Sequence, residues 1–239
     1  MEQPGFLQLM SFGEGGWGPA MLMGASVTLA LAVCGFALGA VFGAIAAFAK
    51  IAGGRFARGA ADVYTTVLRG IPDLLVIYLF YFGGSSVLTA IGRLFGGEGF
   101  IGLPAFATGA MAIGLVSGAQ HAEVFRGGWR AVHPGEIEAA IAVGMPRLLR
   151  FRRIVAPLVL RHALPGLGNV WQIVLKESAL VSVTGVVELL RQSQVGAGST
   201  RQPFYFYFAG AILFLVITSV SSLAFRSAEG YFNRGVRRA

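Results

Sequence analysis

Cysteine is almost missing from this chain. Cys34 is the only one in 239 residues, so no intramolecular disulfide and no cysteine-based metal cluster can form. Charge is scarce too. Asp, Glu, Lys and Arg make up 13% of the residues, against about 25% in a soluble domain. No Gly-Lys-Ser/Thr loop is present, so the chain cannot hydrolyse ATP by a phosphate-binding loop. His121-Ala122-Glu123 lacks the second histidine four residues on that a zinc-protease helix needs. No Ser/His/Asp or paired-carboxylate arrangement stands out, and no metal site is expected. These gaps argue against an enzyme. An internal repeat is also lacking, and with it the inverted pair that builds many secondary transporters.

What is abundant is apolar. Hydrophobic residues reach 55% and the mean hydropathy is +0.70. Residues 20–49 carry no charge, nor do 74–92, 99–122 and 202–225. About 20 apolar residues cross the hydrocarbon core of a bilayer, so the chain reads as one all-α, multi-pass membrane domain over 1–239. It has about five spans, near 20–49, 60–83, 104–127, 163–187 and 204–226. The fourth is interrupted by Lys176-Glu177. The first apolar run is too long for a signal peptide, and no Lys or Arg precedes Lys50.

The net charge of +8 is distributed by topology. With the N-terminus outside and the C-terminus in the cytoplasm, Lys50, Arg55 and Arg58, the cluster from Arg126 to Arg161, and the arginines from Arg226 to Arg238 all fall inside. Arg93, Arg191 and Arg201 remain outside. Because the spans split the basic residues, a nucleic-acid partner is not expected. Gly35, Gly39 and Gly43 recur every fourth residue, which leaves a smooth helix face for close packing.

The segment from about 128 to 162 is charged and lies between apolar spans. Glu136 and Glu138 suit a helix N-terminus, and Ala139, Ala140, Ile141 and Ala142 are sound helix residues. Gly144 and Met145-Pro146 stop that helix. A second helix is expected with Pro146 in its first position, carrying Arg150, Arg152 and Arg153 in its last turns, where they also suit anionic membrane lipid. Glu138-Ala139-Ala140, Gly144, Ile154 and Pro157 resemble the EAA loop of ABC-importer permeases. The pattern of that family is E-A-A, three residues, G, nine residues, then I-x-L-P. Ala156 replaces the family Leu.

Two further motifs resemble the polar-amino-acid branch of that family. Tyr64, Arg69-Gly70-Ile71-Pro72 fits its Y-x-x-x-x-R-G-T/I-P signature, and Leu175-Lys176-Glu177-Ser178-Ala179-Leu180 its L-K-D/E-S-S/A-L. Gly70 and Pro72 should bend or interrupt the helix, with Arg69 and Asp73 paired four residues apart on one face. Glu123 with Arg126, and Glu188 with Arg191, form i,i+3 pairs. Ionisable residues inside a span face a cavity or a partner. Lys176 and Glu177 are adjacent and must point different ways. Glu177 has no Lys or Arg three or four residues away, so it either attracts a cationic substrate or pairs with a basic residue of a partner permease; the candidate substrate path is Glu177, Lys176, Ser178 and Asp73.

The resemblance covers about residues 20–230 and looks most like permeases for histidine, arginine, octopine and nopaline. It implies a type I importer fold of five helices in a bacterial inner membrane. It also implies a second permease, usually a paralogue, two cytoplasmic ATPase subunits and a periplasmic solute-binding protein. ATP is used by the ATPases, and the permease binds no cofactor itself. The function implied is import of a polar, cationic amino acid or opine. The alternative is a secondary transporter or channel that works without an ATPase, and it leaves the charged loop unexplained.

Overall fold

The computed structural model describes residues 5–97 and 99–232. Among them every regular element is helical. One turn, α1 (Phe6–Leu9), precedes the long α2 (Gly18–Ala52) and the amphipathic α3 (Arg55–Gly70). Next come α4 (Asp73–Tyr78), a π-helical stretch at Leu79–Gly83, and α5 (Gly84–Leu94). Then follow α6 (Ala105–Ala131), α7 (Pro134–Ala142), α8 (Arg147–Arg150), a second π stretch at Phe151–Val155, and α9 (Ala156–Glu177). A 3-10 segment at Ser178–Thr184, α10 (Leu189–Thr200) and α11 (Pro203–Phe232) complete the order.

Among the described residues three helical stretches are long and apolar enough to cross a membrane: Gly18–Ala52, Asp73–Leu94 (α4 through α5) and Pro203–Phe232. The expected span at 104–127 lies on α6; the one at 163–187 lies on α9 only as far as Glu177, beyond which the chain tightens into the 3-10 segment and leaves the helix. Those helices are long enough, but Gln120, His121 and Glu123 in one, and Asn169, Gln172 and Lys176 in the other, dilute their apolar character. The span expected over 60–83 is not one helix. Pro72 bars Ile71 from the helical region, and Ile71 adopts φ −98° and ψ 137°. The apolar helix therefore starts at Asp73, and the stretch from Arg55 to Gly70 is a separate, polar-faced helix. Arg69 and Asp73 consequently do not share a helix face, and the pairing expected of them is lost. Arg234, Arg237 and Arg238 lie outside the described residues.

The chain folds as two compact units. The first holds the residues up to Gly35, Pro72–Ile113 and Ile173–Val220; the second holds Phe36–Ile71, Gly114–Gln172 and the residues from Ser221 on.

In the first unit, Met21, Ala25, Leu189, Phe206 and Ala209 are buried together. Trp17 meets the Phe206 ring edge-on at 5.3 Å. Glu188 caps α10, accepting from the backbone N–H groups of Leu190 at 2.8 Å and Arg191 at 2.7 Å. Its side chain therefore answers the orphan donors of a helix start, while the Arg191 guanidinium donates to Gln194. This replaces the side-chain pair expected between Glu188 and Arg191. Thr28 of α2 joins the same cap: its Oγ1 donates to Glu188 and accepts from Leu189 N–H at 3.0 Å. Two hydroxyls of α5 tie down the chain that follows it, Thr89 accepting from Ile101 N–H and Ser85 from Leu103 N–H.

The second unit packs through absent side chains. A Cβ on Gly39 would strike Ser117, and one on Gly43 would strike His121 of α6. Lipid tails are as apolar as leucine, so helix association in a membrane depends on such close approach. The Phe36 ring lies edge-on to His121, Trp171 and Phe225, and Tyr64 donates its hydroxyl hydrogen to the Leu115 carbonyl at 2.7 Å.

Candidate functional site

The first candidate is the hairpin from α7 to the start of α9. His133 opens it, its Nδ1 accepting from Gly135 N–H at 3.1 Å, with Pro134 in the first turn and Glu136 near the positive helix end. The helix closes in a Schellman motif. Gly144 N–H donates to Ile141 O at 2.9 Å, and Met145 N–H to Ala140 O at 3.0 Å. This needs a left-handed residue at position 144, and Gly144 has φ +75°. A side chain there would be strained.

Glu138 and Ala139 are exposed, while Ala140 is buried. The helix α7 packs on α8 and on the π stretch that contains Ile154, so the EAA residues, Gly144 and Ile154 come together in one hairpin. Pro157 lies just beyond, in the first turn of α9. Two details depart from expectation. Pro146 caps α8 from outside rather than starting it. The basic helix also does not end at Arg150–Arg153, but continues through the π stretch into α9. Pro157 has no N–H to donate to the Arg153 carbonyl, and the widened turn sits immediately before it. Sequence reasoning passed over the hairpin's apolar surface: Ile141, Val143, Leu148 and Phe151 are all exposed. The signal was there, as large apolar side chains in a segment otherwise rich in charge.

The second candidate sits in the first unit. Glu177 ends α9 and is 7% exposed, while its neighbour Lys176 is exposed. The two do point different ways. Ser178 is fully buried and donates to the Leu175 carbonyl at 2.7 Å. Here the chain tightens into the 3-10 segment, which packs against α4. That packing brings the Asp73 carboxyl beside Glu177 as the charged group acting on it. Glu177 Oε2 has no hydrogen-bond partner, and an unpaired buried polar atom is costly. The two carboxyl groups hydrogen-bond each other and leave Glu177 Oε2 without a partner.

A third feature was not visible in the sequence. Lys50, near the end of α2, donates to Thr65 Oγ1 at 2.6 Å and Glu123 Oε1 at 2.7 Å, and pairs with Asp62 at 3.1 Å. Glu123 also takes Arg126, the i,i+3 pair expected from spacing. One lysine thereby joins α2, α3 and α6. Among the described residues no group of three or more His, Cys, Asp or Glu could hold a metal ion.

Residues 39–238 match the model of the family described as "Binding-protein-dependent transport system inner membrane component". The octopine transport system permease protein OccQ of Rhizobium meliloti is 58% identical, covering 98% of this chain and 99% of its own. The nopaline transport system permease protein NocQ of Agrobacterium fabrum is 47% identical, covering 97% and 98%. A crystal structure of an amino acid ABC transporter with histidines superimposes with a TM-score of 0.77 at 30% identity, over 96% of this chain and 100% of that one. The helical hairpin and its motifs thus stand in a lineage of transport proteins: the chain belongs to the binding-protein-dependent inner membrane components, as a non-catalytic permease subunit of the amino-acid and opine ABC importers.

Proposed function

We propose that the chain moves a cationic amino acid or opine from a periplasmic solute-binding protein into the cytoplasm of a bacterium, as one permease of a pair driven by two ATPase subunits. The observation that carries this reading is the α7–α8 hairpin. It presents exposed Glu138, Ala139, Ile141, Val143 and Leu148 on a segment held in one shape by the Gly144 turn. Such a rigid, part-apolar projection suits a cleft on another protein. The ATPases supply ATP chemistry, and the hairpin carries their movement to the helices as a two-state element. The N-terminus faces the periplasm in this reading, and the C-terminus the cytoplasm.

Glu177 and Asp73 serve as the cationic subsite. An ammonium or guanidinium group would meet two carboxyls in a low-dielectric path, where an unpaired charge is expensive. The names of the octopine and nopaline relatives, and that of the amino acid ABC transporter with histidines, support amino-acid-derived substrates with basic or polar groups.

The test is reconstitution of the full complex in proteoliposomes with its binding protein. Uptake of labelled octopine, nopaline, arginine or histidine should require both ATP and the loaded binding protein. Uptake that continues without nucleotide would move the chain to the class of secondary transporters.

A further inference from the structure

Beside the Lys50 network the second unit holds a cavity of about 420 Å³ whose lining is dominated by cations: Lys50, Arg58, Arg126 and Arg130. Asp62 also lines it, but its carboxyl is already engaged by Lys50. Arg126 is held by Glu123. Arg58 and Arg130 have no acidic partner among the described residues. The cavity therefore offers two uncommitted guanidinium groups within a positive surround.

A second, apolar groove of about 540 Å³ lies next to it in the same unit. Phe48, Phe125, Phe151, Val159 and Leu160 line that groove. Ile51 and Trp129 line both spaces, so the two adjoin at these side chains. A charged compartment adjoining an oily one is complementary to one kind of molecule, an amphiphile with an anionic head. Tryptophan at the junction is the residue favoured where headgroups meet acyl chains. Basic pockets between membrane helices on the cytoplasmic side are suited to phospholipid headgroups.

We propose that an anionic phospholipid occupies this pair of spaces, its phosphate held by Arg58 and Arg130 and its acyl chain lying in the groove beneath Trp129. The lipid would join α2, α6 and the start of α9 from outside, next to the hairpin. Guanidinium suits the task because its planar fork meets phosphate oxygens in pairs. The proposal needs only that the chain lies in a membrane, and it stands apart from the choice of transported substrate.

Native mass spectrometry of the purified, detergent-solubilised complex tests it, with phosphatidylglycerol or phosphatidylcholine added. The wild type should retain phosphatidylglycerol in preference to phosphatidylcholine. R58Q/R130Q should lower phosphatidylglycerol retention about tenfold or more and leave phosphatidylcholine unchanged. A52W, which places a ring in the groove, should also weaken phosphatidylglycerol retention. Both variants should keep the wild-type melting temperature, because Arg58, Arg130 and Ala52 are exposed. Equal retention of the two lipids, or unchanged phosphatidylglycerol in R58Q/R130Q, overturns the proposal. Unchanged retention in A52W removes the acyl half and overturns it as an amphiphile site. Displacement of the lipid by inorganic phosphate assigns the cavity to a free anion. Retention by the separated chain but not by the complex assigns the groove to a partner subunit.

Discussion

Lys50 Nζ lies 2.7 Å from Glu123 Oε1, joining residues 73 positions apart. The lysine side chain is 8% exposed and the glutamate 23%, so the pair is screened less than a surface bridge. Asp62 and Arg126 extend it to four charges that alternate in sign.

Replacing Lys50 by Met leaves Glu123 with Arg126 alone and Asp62 with water. Partial exposure moderates the cost, and we expect about 2 kcal/mol of lost stability. The check is thermal melting of the solubilised chain, with Glu123→Gln and the double variant completing a cycle. The double variant should be less damaged than the sum of the singles. Strict additivity would show that the two groups do not interact.

Gly144→Asp puts a side chain at φ +75° and a negative charge on the turn. The strain is about 1–2 kcal/mol, less for a short polar side chain. Membrane insertion should be normal, while ATPase association or transport is lost. Gly144→Asn tests the charge separately, since Asn tolerates this backbone, and it should retain more activity than Asp. Wild-type uptake by the Asp variant would remove the hairpin from coupling.

Glu177→Gln keeps the shape of the buried side chain and removes its acidic group. Uptake of cationic substrates should fall at least tenfold, about 1.4 kcal/mol or more, while the ATPase still answers the loaded binding protein. Lys176→Met, at an exposed neighbour, should have a smaller effect. Unchanged uptake of arginine, histidine and opines by Glu177→Gln would exclude the carboxyl from the path.

Topology can be read by cysteine labelling in a Cys34→Ala background. A cysteine at Glu14 should react with an impermeant thiol reagent in intact cells, and one at Arg238 only after the cells are broken. Labelling at position 238 in sealed cells would invert the charge-based orientation.

Local chemistry made much of the hairpin legible. Gly144 stops its helix for the reason the sequence suggests, and Glu123 finds Arg126 one helical turn on. The glycines at 39 and 43 do face a close neighbour. What spacing along the chain could not reveal depends on contacts between distant segments. Lys50 meets Glu123 only after α2 and α6 are side by side. The four-residue spacing of Arg69 and Asp73 implies a pair only within one helix, and here the two lie on different helices. Pro72 does interrupt the helix, as its chemistry suggests, but it ends one helix and starts another, so that Asp73 meets Glu177 through the 3-10 segment. Glu188 illustrates a different gap: its partners are backbone N–H groups, which sequence spacing between charged side chains does not register.

The π stretch at Phe151–Val155 has a consequence for angular phase. Each residue of an α-helix turns the next by about 100°, and a π turn houses one more residue than the α turn it replaces. The exposed face of α8 and the face that α9 shows to its neighbours are therefore offset from an unbroken helical register. Removing one residue there would restore regular winding and swing the whole hairpin around the helix axis. The hairpin would then present its exposed residues in another direction, so sensitivity to length in this stretch should exceed sensitivity to side-chain identity.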